Sequence, residues 1–234
     1  MHRFYLPDLS ADLVTLDEDE SKHAVRVLRL QKGNAVQLID GNGTRADAEV
    51  EDDHPKRCVL RILKRSRETT GRNFKLHLAV APTKNADRLE WFVEKAVEMG
   101  IDEITLLHCT HSEKLKVKTE RLEKLMISAM KQSQQSWLPE MNEVIPFSDF
   151  IRAVPASAQR FIAHCEEAEK FHLKNRMQPG GEIVILIGPE GDFSPEEITE
   201  ALAAGFLPVS LGATRLRTET AALIAVAAAH FVNA

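Results

Sequence analysis

The chain has 234 residues, 44% of them hydrophobic, which is the composition of a packed globular protein and excludes a disordered one. Its formal net charge of −5 argues mildly against nucleic acid, and its longest apolar run, residues 221–229, is too short to span a bilayer. Cys58, Cys109 and Cys165 lie far apart without CxxC spacing, so neither a disulfide framework nor a zinc site is indicated, and the start MHRFYLPDLS lacks a secretory core. A reduced, soluble, cytoplasmic protein is the expectation.

The average charge conceals a pattern. Acids crowd the start at Asp8, Asp12, Asp17, Glu18, Asp19 and Glu20. Between His54 and Lys75, eight basic residues (Lys56, Arg57, Arg61, Lys64, Arg65, Arg67, Arg72 and Lys75) face one acid, Glu68, and a second basic cluster holds Lys114, Lys116, Lys118 and Arg121. Such stretches are either solvated faces or phosphate-binding surface.

Residues 20–30 (ESKHAVRVLRL) predict a helix with Ser21 as N-cap and Gly33 just beyond its end. Ala24, Val25 and Leu28 would form its buried stripe, while His23, Arg26 and Arg29 project along another face. Residues 35–40, 44–51 and 57–64 read as strands, the first two joined by the turn Gly41-Asn42-Gly43. The polar stretch from Glu68 to Arg72 marks a boundary between a small β-rich domain, 1–71, and a larger one, 72–234.

From there strand and helix alternate. Strands are predicted at 74–81, 103–108, 161–164, 183–187 and 208–211, and helices at 86–99, near 119–136, from Ser194-Pro195-Glu196-Glu197 to Gly205, and at 219–232 with Thr218 as N-cap. This is an α/β domain with a mainly parallel sheet. Residues 183–187 (IVILI) suit a strand covered on both faces.

Ligands of open parallel sheets sit where strands run into loops at their C-terminal ends. Two such ends stand out. After the buried strand comes Ile187-Gly188-Pro189-Glu190-Gly191-Asp192-Phe193, whose glycines allow close backbone approach and whose Glu190 sits at the strand tip. After the last strand comes LGATRLRTETAA, residues 211–222, with Arg217 at the start of an alanine-rich helix, where backbone N–H groups favour anions. Spacing alone leaves the first loop open to being an ordinary turn. P-loop, GxGxxG, HExxH and GxSxG motifs are absent. A lone histidine such as His108 or His164 is more often core or surface than ligand.

Five ordered segments, HAVRVLRL at 23–30, KNADRLEWFVEKAVEMGI at 84–101, KQSQQSWLP at 131–139, IGPEGDFSPEEI at 187–198 and LGATRLRTETAA at 211–222, resemble the uridine-N3 methyltransferases of small-subunit ribosomal RNA. These belong to the SPOUT class. The resemblance implies an α/β fold whose C-terminal parallel-sheet domain carries a deep trefoil knot, beside a PUA-like RNA-binding β-barrel. It implies S-adenosylmethionine as cofactor, no metal, small-subunit (16S) ribosomal RNA as partner and a homodimer with active sites near the subunit interface. The cofactor would be held by Gly188, Glu190, Gly191, Leu211, Gly212 and Leu216. Arg217 would stabilise charge on the uracil, with Glu190 or Glu219 orienting it or accepting the proton; the alternative is an ion pair between Arg217 and Glu219 at a helix start. His23, Arg26, Arg29, Lys84 and Arg88 are the candidates for holding RNA. Where the family often carries arginine before Leu-Pro, this chain has Gln135-Ser136-Trp137, which removes any contact assigned to that arginine. Methylation of a ribose 2′-oxygen or of another RNA, and a non-catalytic RNA-binding role, are the rival functions.

Overall fold

The structure, a computed structural model, describes residues 1–69, 71–113, 116–166 and 170–234. Thr70 in the expected boundary and Lys114 in the second basic cluster lie outside the described residues. The chain divides into two compact units, one of residues 1–71 with 130–138, the other of residues 72–129 with 139–234. The expected division at 71–72 therefore omitted one feature: residues 130–138 make their contacts with the first unit.

The first unit is a five-stranded mixed sheet. Its strands are β1 (His2–Tyr5), β2 (Leu13–Thr15), β3 (Ala35–Ile39), β4 (Thr44–Asp52) and β5 (Val59–Arg67), in the order β1-β3-β4-β5-β2. Only β1 and β3 run parallel. Alternation fills one side: Val36 and Leu38, Ala46, Ala48 and Val50, and Leu60 and Ile62 join Phe4, Leu16 and Ala24 in one core. The predicted helix over 20–30 is shorter and irregular. α1 (Glu18–Lys22) gives way to a π-helical turn, His23–Val27, and Arg29 then takes a φ of +55°. Asp17, not Ser21, is the N-cap, its carboxylate accepting from Glu20 N. Ser21 is buried and ties two segments together, donating to Leu16 O at 3.1 Å and accepting from Cys58 N at 2.9 Å.

Residues 136–138 lie along the β3–β4 turn, with Gly43 N donating to Ser136 O and Leu138 N to Gly41 O. The Trp137 ring covers Gly43, where a Cβ would fall 2.3 Å from it. Arg45 donates from Nε to Ser136 Oγ at 2.6 Å and from Nη2 to Gln134 O at 2.9 Å. Gln135-Ser136-Trp137 thus closes the first unit over its hairpin.

The second unit is a seven-stranded sheet in which every pairing is parallel. Its elements are β6 (Phe74–Val80), α2 (Ala86–Met99), β7 (Glu103–His108), α3 (Thr119–Gln132), β8 (Glu140–Pro146), α4 (Phe147–Ala153), β9 (Gln159–Ala163), β10 (Phe171–His172), α5 (Leu173–Arg176), β11 (Gly181–Ile187), α6 (Pro195–Ala203), β12 (Leu207–Ser210) and α7 (Thr218–Val232). The order is β10-β12-β9-β11-β6-β7-β8, with β11 in the middle. Every residue of Ile183–Ile187 is buried, as a strand covered on both faces requires. Val184 and Leu186 pack with α4 and α6, while α7 returns across the sheet to lie on β6, β11 and α2. The capping box at Ser194 and Glu197 with Pro195 first in α6 is present as read from sequence. The expected N-cap Thr218 is instead the first residue of α7, and Arg217 is its cap. The chain must pass from β12, at one side of the sheet, over the ends of β9 and β11 to reach α7, and residues 211–217 make that passage.

Candidate active site

The passage creates the site. Ile187, at the C-terminal end of β11, leads into the loop 188–193. Gly188 is needed there because a Cβ would press within 3.1 Å of the Phe193 backbone nitrogen and ring. Asp192, at φ +67°, folds its carboxylate back: Oδ1 accepts from Phe193 N at 2.9 Å and Oδ2 from Cys165 N at 2.6 Å. That second bond ties the loop after β9 to the loop after β11. Thr218 Oγ1 donates to Gly188 O at 3.2 Å, so the start of α7 is fastened to the same loop.

Two adjoining chambers lie between these segments. The first, about 360 Å³, is walled by Ile187, Gly188, Glu190, Asp192, Arg217 and Thr218 among others. The second, about 530 Å³, is walled by His164, Lys170, Ser210, Leu211, Gly212 and Thr214 among others. Ala163, Cys165, Arg215, Leu216 and Ala221 belong to both, so the chambers are two ends of one cleft.

Of the residues expected to hold a cofactor, Gly188 and Glu190 line the first chamber, Leu211 and Gly212 the second, and Leu216 both. Gly191 lines neither; its Cα packs against His111, where a Cβ would meet the His111 Cβ at 3.0 Å. Arg217 and Glu190 share the first chamber, and Arg217 is exposed. Glu190 is anchored through Oε1, which accepts from Lys84 N at 3.0 Å. Glu219 stands apart. It is buried in the first turn of α7 outside both chambers, and its ion-pair partner is Arg88, with Nε 3.7 Å from Oε1, rather than Arg217. Among the described residues Glu219 Oε2 has no hydrogen-bond partner.

Lys84 pairs with Glu113 at 2.7 Å, beside the same loop. In the first unit, His23, Arg26 and Arg29 are exposed and form no ion pair among the described residues. The basic stretch is partly neutralised: Arg61 meets Glu51, Arg65 meets Asp12 and Arg72 meets Asp102. Arg57, Lys64 and Arg67 make no such pair among the described residues.

Sequence reasoning gave Asp192 and Cys165 no role, took Thr218 only as an N-cap and set His164 aside as core or surface. The aspartate carried a signal, since a Gly-Asp step tolerates a left-handed backbone; Cys165 and His164 stand in the site because β9 neighbours β11, and Thr218 because α7 starts against the loop after β11. Among the described residues no group of three or more His, Cys, Asp or Glu side chains could hold a metal ion, and no helix is long and apolar enough to cross a membrane.

Comparison with known proteins agrees with this geometry. The family model described as an RNA methyltransferase domain matches residues 70–230, and that of an RNA methyltransferase PUA domain matches residues 16–63. The ribosomal RNA small subunit methyltransferase E of Synechocystis sp. is 31% identical over 227 residues, which are 92% of this chain and 71% of that protein. The crystal structure of a probable rRNA-methyltransferase from Porphyromonas gingivalis superposes with a TM-score of 0.94 at 41% identity, covering 100% of this chain and 98% of the other. The ribosomal RNA small subunit methyltransferase E of Neisseria gonorrhoeae, crystallised bound to S-adenosyl methionine, superposes at 0.88 with 29% identity over 100% and 98% of the two chains. The fold and the cleft define an α/β RNA methyltransferase domain accompanied by a PUA-like domain. Within that class, the chain belongs to the family of ribosomal RNA small subunit methyltransferase E.

Proposed function

We propose that this protein transfers a methyl group from S-adenosylmethionine to N3 of a specific uridine in small-subunit ribosomal RNA. The observation that carries the reading is the two-chambered cleft at the C-terminal strand ends, with Arg217 and Glu190 in one chamber and the loop 211–216 walling the other. Its volume is in the range of small-molecule sites. Gly212 fits the cofactor: it stands in the wall with nothing within 4 Å of the place a Cβ would occupy. When bound, the cofactor supplies an electrophilic methyl carbon on a positive sulfonium, so the protein's task is to orient the base and manage charge.

Removing the N3 proton leaves negative charge on the uracil ring. The exposed guanidinium of Arg217, held at the positive end of α7, is proposed to stabilise that charge on the uracil oxygens. Of the two carboxylates considered, Glu190 is the one at the chamber, with Oε1 fixed by Lys84 N and Oε2 taking the proton. Glu219 positions Arg88 instead. His23, Arg26, Arg29 and Lys84 are proposed RNA contacts. The protein works as a homodimer, for which α7 provides a face: Ile224 and Phe231, seven residues apart on one side, are 39% and 81% exposed.

The test is methylation of ribosomal RNA by the purified protein, followed by nuclease digestion and mass spectrometry. N3-methyluridine is the expected product; a 2′-O-methylated nucleoside, or no product from small-subunit RNA, overturns the reading.

A further inference from the structure

His164 directly follows β9 and is 9% exposed, yet among the described residues neither Nδ1 nor Nε2 has a hydrogen-bond partner. Buried ring nitrogens are nearly always satisfied, so a histidine with both unsatisfied beside a cavity is waiting for one. The cavity is the second chamber, whose wall includes His164. The residue is held in place through its backbone, since its carbonyl accepts from Lys170 Nζ at 2.7 Å, and the next residue is fixed through Cys165 N to Asp192. The side chain is therefore presented by a rigid strand end, while its polar atoms are left to a ligand.

Which ligand group it suits follows from charge. Burial first, and then the nearby Lys170 ammonium, pull the imidazole below its ordinary pKa, so it is neutral at physiological pH. A neutral imidazole offers one donor and one acceptor. That combination matches a nucleoside, whose purine edge and ribose hydroxyls each present both kinds of group. A carboxylate only accepts, and a donor-only cation would serve it better. Position agrees: the methyl group must face Arg217 and Glu190 in the first chamber, which leaves the second for the nucleoside.

We infer that His164 is a cofactor-binding residue whose imidazole hydrogen-bonds the adenosyl moiety of S-adenosylmethionine in the second chamber. This rests on the cofactor assigned above, and the experiment separates the two. Isothermal calorimetry on the full chain measures S-adenosylmethionine and methylthioadenosine, which lacks the amino-acid tail, binding to wild type, His164→Phe and His164→Gln. If the wild type does not bind S-adenosylmethionine, the functional reading itself fails. If it does, His164→Phe is expected to weaken both ligands about tenfold, the size of one lost hydrogen bond, and His164→Gln to retain most of the affinity. Unchanged affinity in His164→Phe overturns the inference. So does weakening of S-adenosylmethionine alone, or failure of methylthioadenosine to bind the wild type. Should His164→Phe not fold, the ring nitrogen resonances of His164 in the wild type decide: they shift on adding S-adenosylmethionine if the hydrogen bond exists, and stay put if it does not.

Discussion

Arg217 stands, exposed, at the N-terminus of α7 in the wall of the first chamber. Its proposed work is confined to charge that appears only as the uridine ionises, so removing it must slow chemistry without loosening the cofactor. Arg217→Ala is expected to lower the single-turnover methylation rate roughly 10²- to 10³-fold, the cost of one electrostatic stabiliser, with S-adenosylmethionine affinity unchanged. Measuring the two separately distinguishes this from a general collapse of the cleft, and an unaltered rate at saturating cofactor removes Arg217 from the mechanism. That residues 190 and 217 would stand at strand-end loops was legible in the sequence, and both line the first chamber, but spacing alone left the loop of Glu190 open to being an ordinary turn. The pairing of Glu219 with Arg88 was not legible: the two are 131 positions apart, and only the packing of α7 on α2 brings them together.

Elements follow their local chemistry closely where caps are strong. α2 begins and ends at the residues its apolar spacing and Gly100 indicate, and α6 starts at the capping box. Local rules failed at residues 18–30, where two signals compete. Asp17 caps one residue earlier than α1 begins, and Ser21 is drawn off to bond Leu16 and Cys58. The extra residue in the π-helical turn lets Ala24 reach the core while His23, Arg26 and Arg29 remain exposed. His23 and Arg26 leave this turn and Arg29 follows two residues after it, an exposed basic stretch that suits a phosphate backbone better than a base edge. The double substitution Arg26→Ala, Arg29→Ala is expected to weaken RNA binding and to flatten the dependence of log affinity on log salt by about 0.7–0.9 for each phosphate no longer neutralised. An unchanged slope in a filter-binding titration would show that the turn does not touch RNA. The short β10 and α4 escaped notice because two- and seven-residue elements carry too little periodicity to register.

At the scale of the molecule, the alternation of strands and helices announced a parallel sheet, but not its order. Nothing in hydrophobic period says that β11 is central or that the chain crosses from β12 to α7 through residues 211–217. Stability has a pH signature rooted in the sheet. His77 on β6 is buried, its Nε2 2.7 Å from Thr105 Oγ1, its Nδ1 3.6 Å from Glu103 Oε1 and its ring edge-on to Phe150. Burial depresses its pKa from 6.5 to about 4. The unfolded chain therefore takes up the proton first as pH falls, so stability is complete above about pH 6.5 and is lost progressively toward pH 4. Urea denaturation at pH 7 and pH 5 is expected to show a larger loss for wild type than for His77→Gln, on the order of 1–2 kcal/mol; equal losses would rule His77 out as the source. Light scattering tests the assembly: Phe231→Glu is expected to convert a dimer to a monomer with the circular dichroism spectrum intact, and a dimer that survives places the interface elsewhere.

The chain moves between its two units three times, at 71–72, 129–130 and 138–139. The nine residues that seat Trp137 over Gly43 arrive only after β6, α2, β7 and most of α3 have been made. The amino-terminal unit is thus not a detachable module. A ribosome that has just released residue 71 has made a sheet whose hairpin lacks its cover, and recombination cutting at that point would deliver the unit to a new host without its last piece.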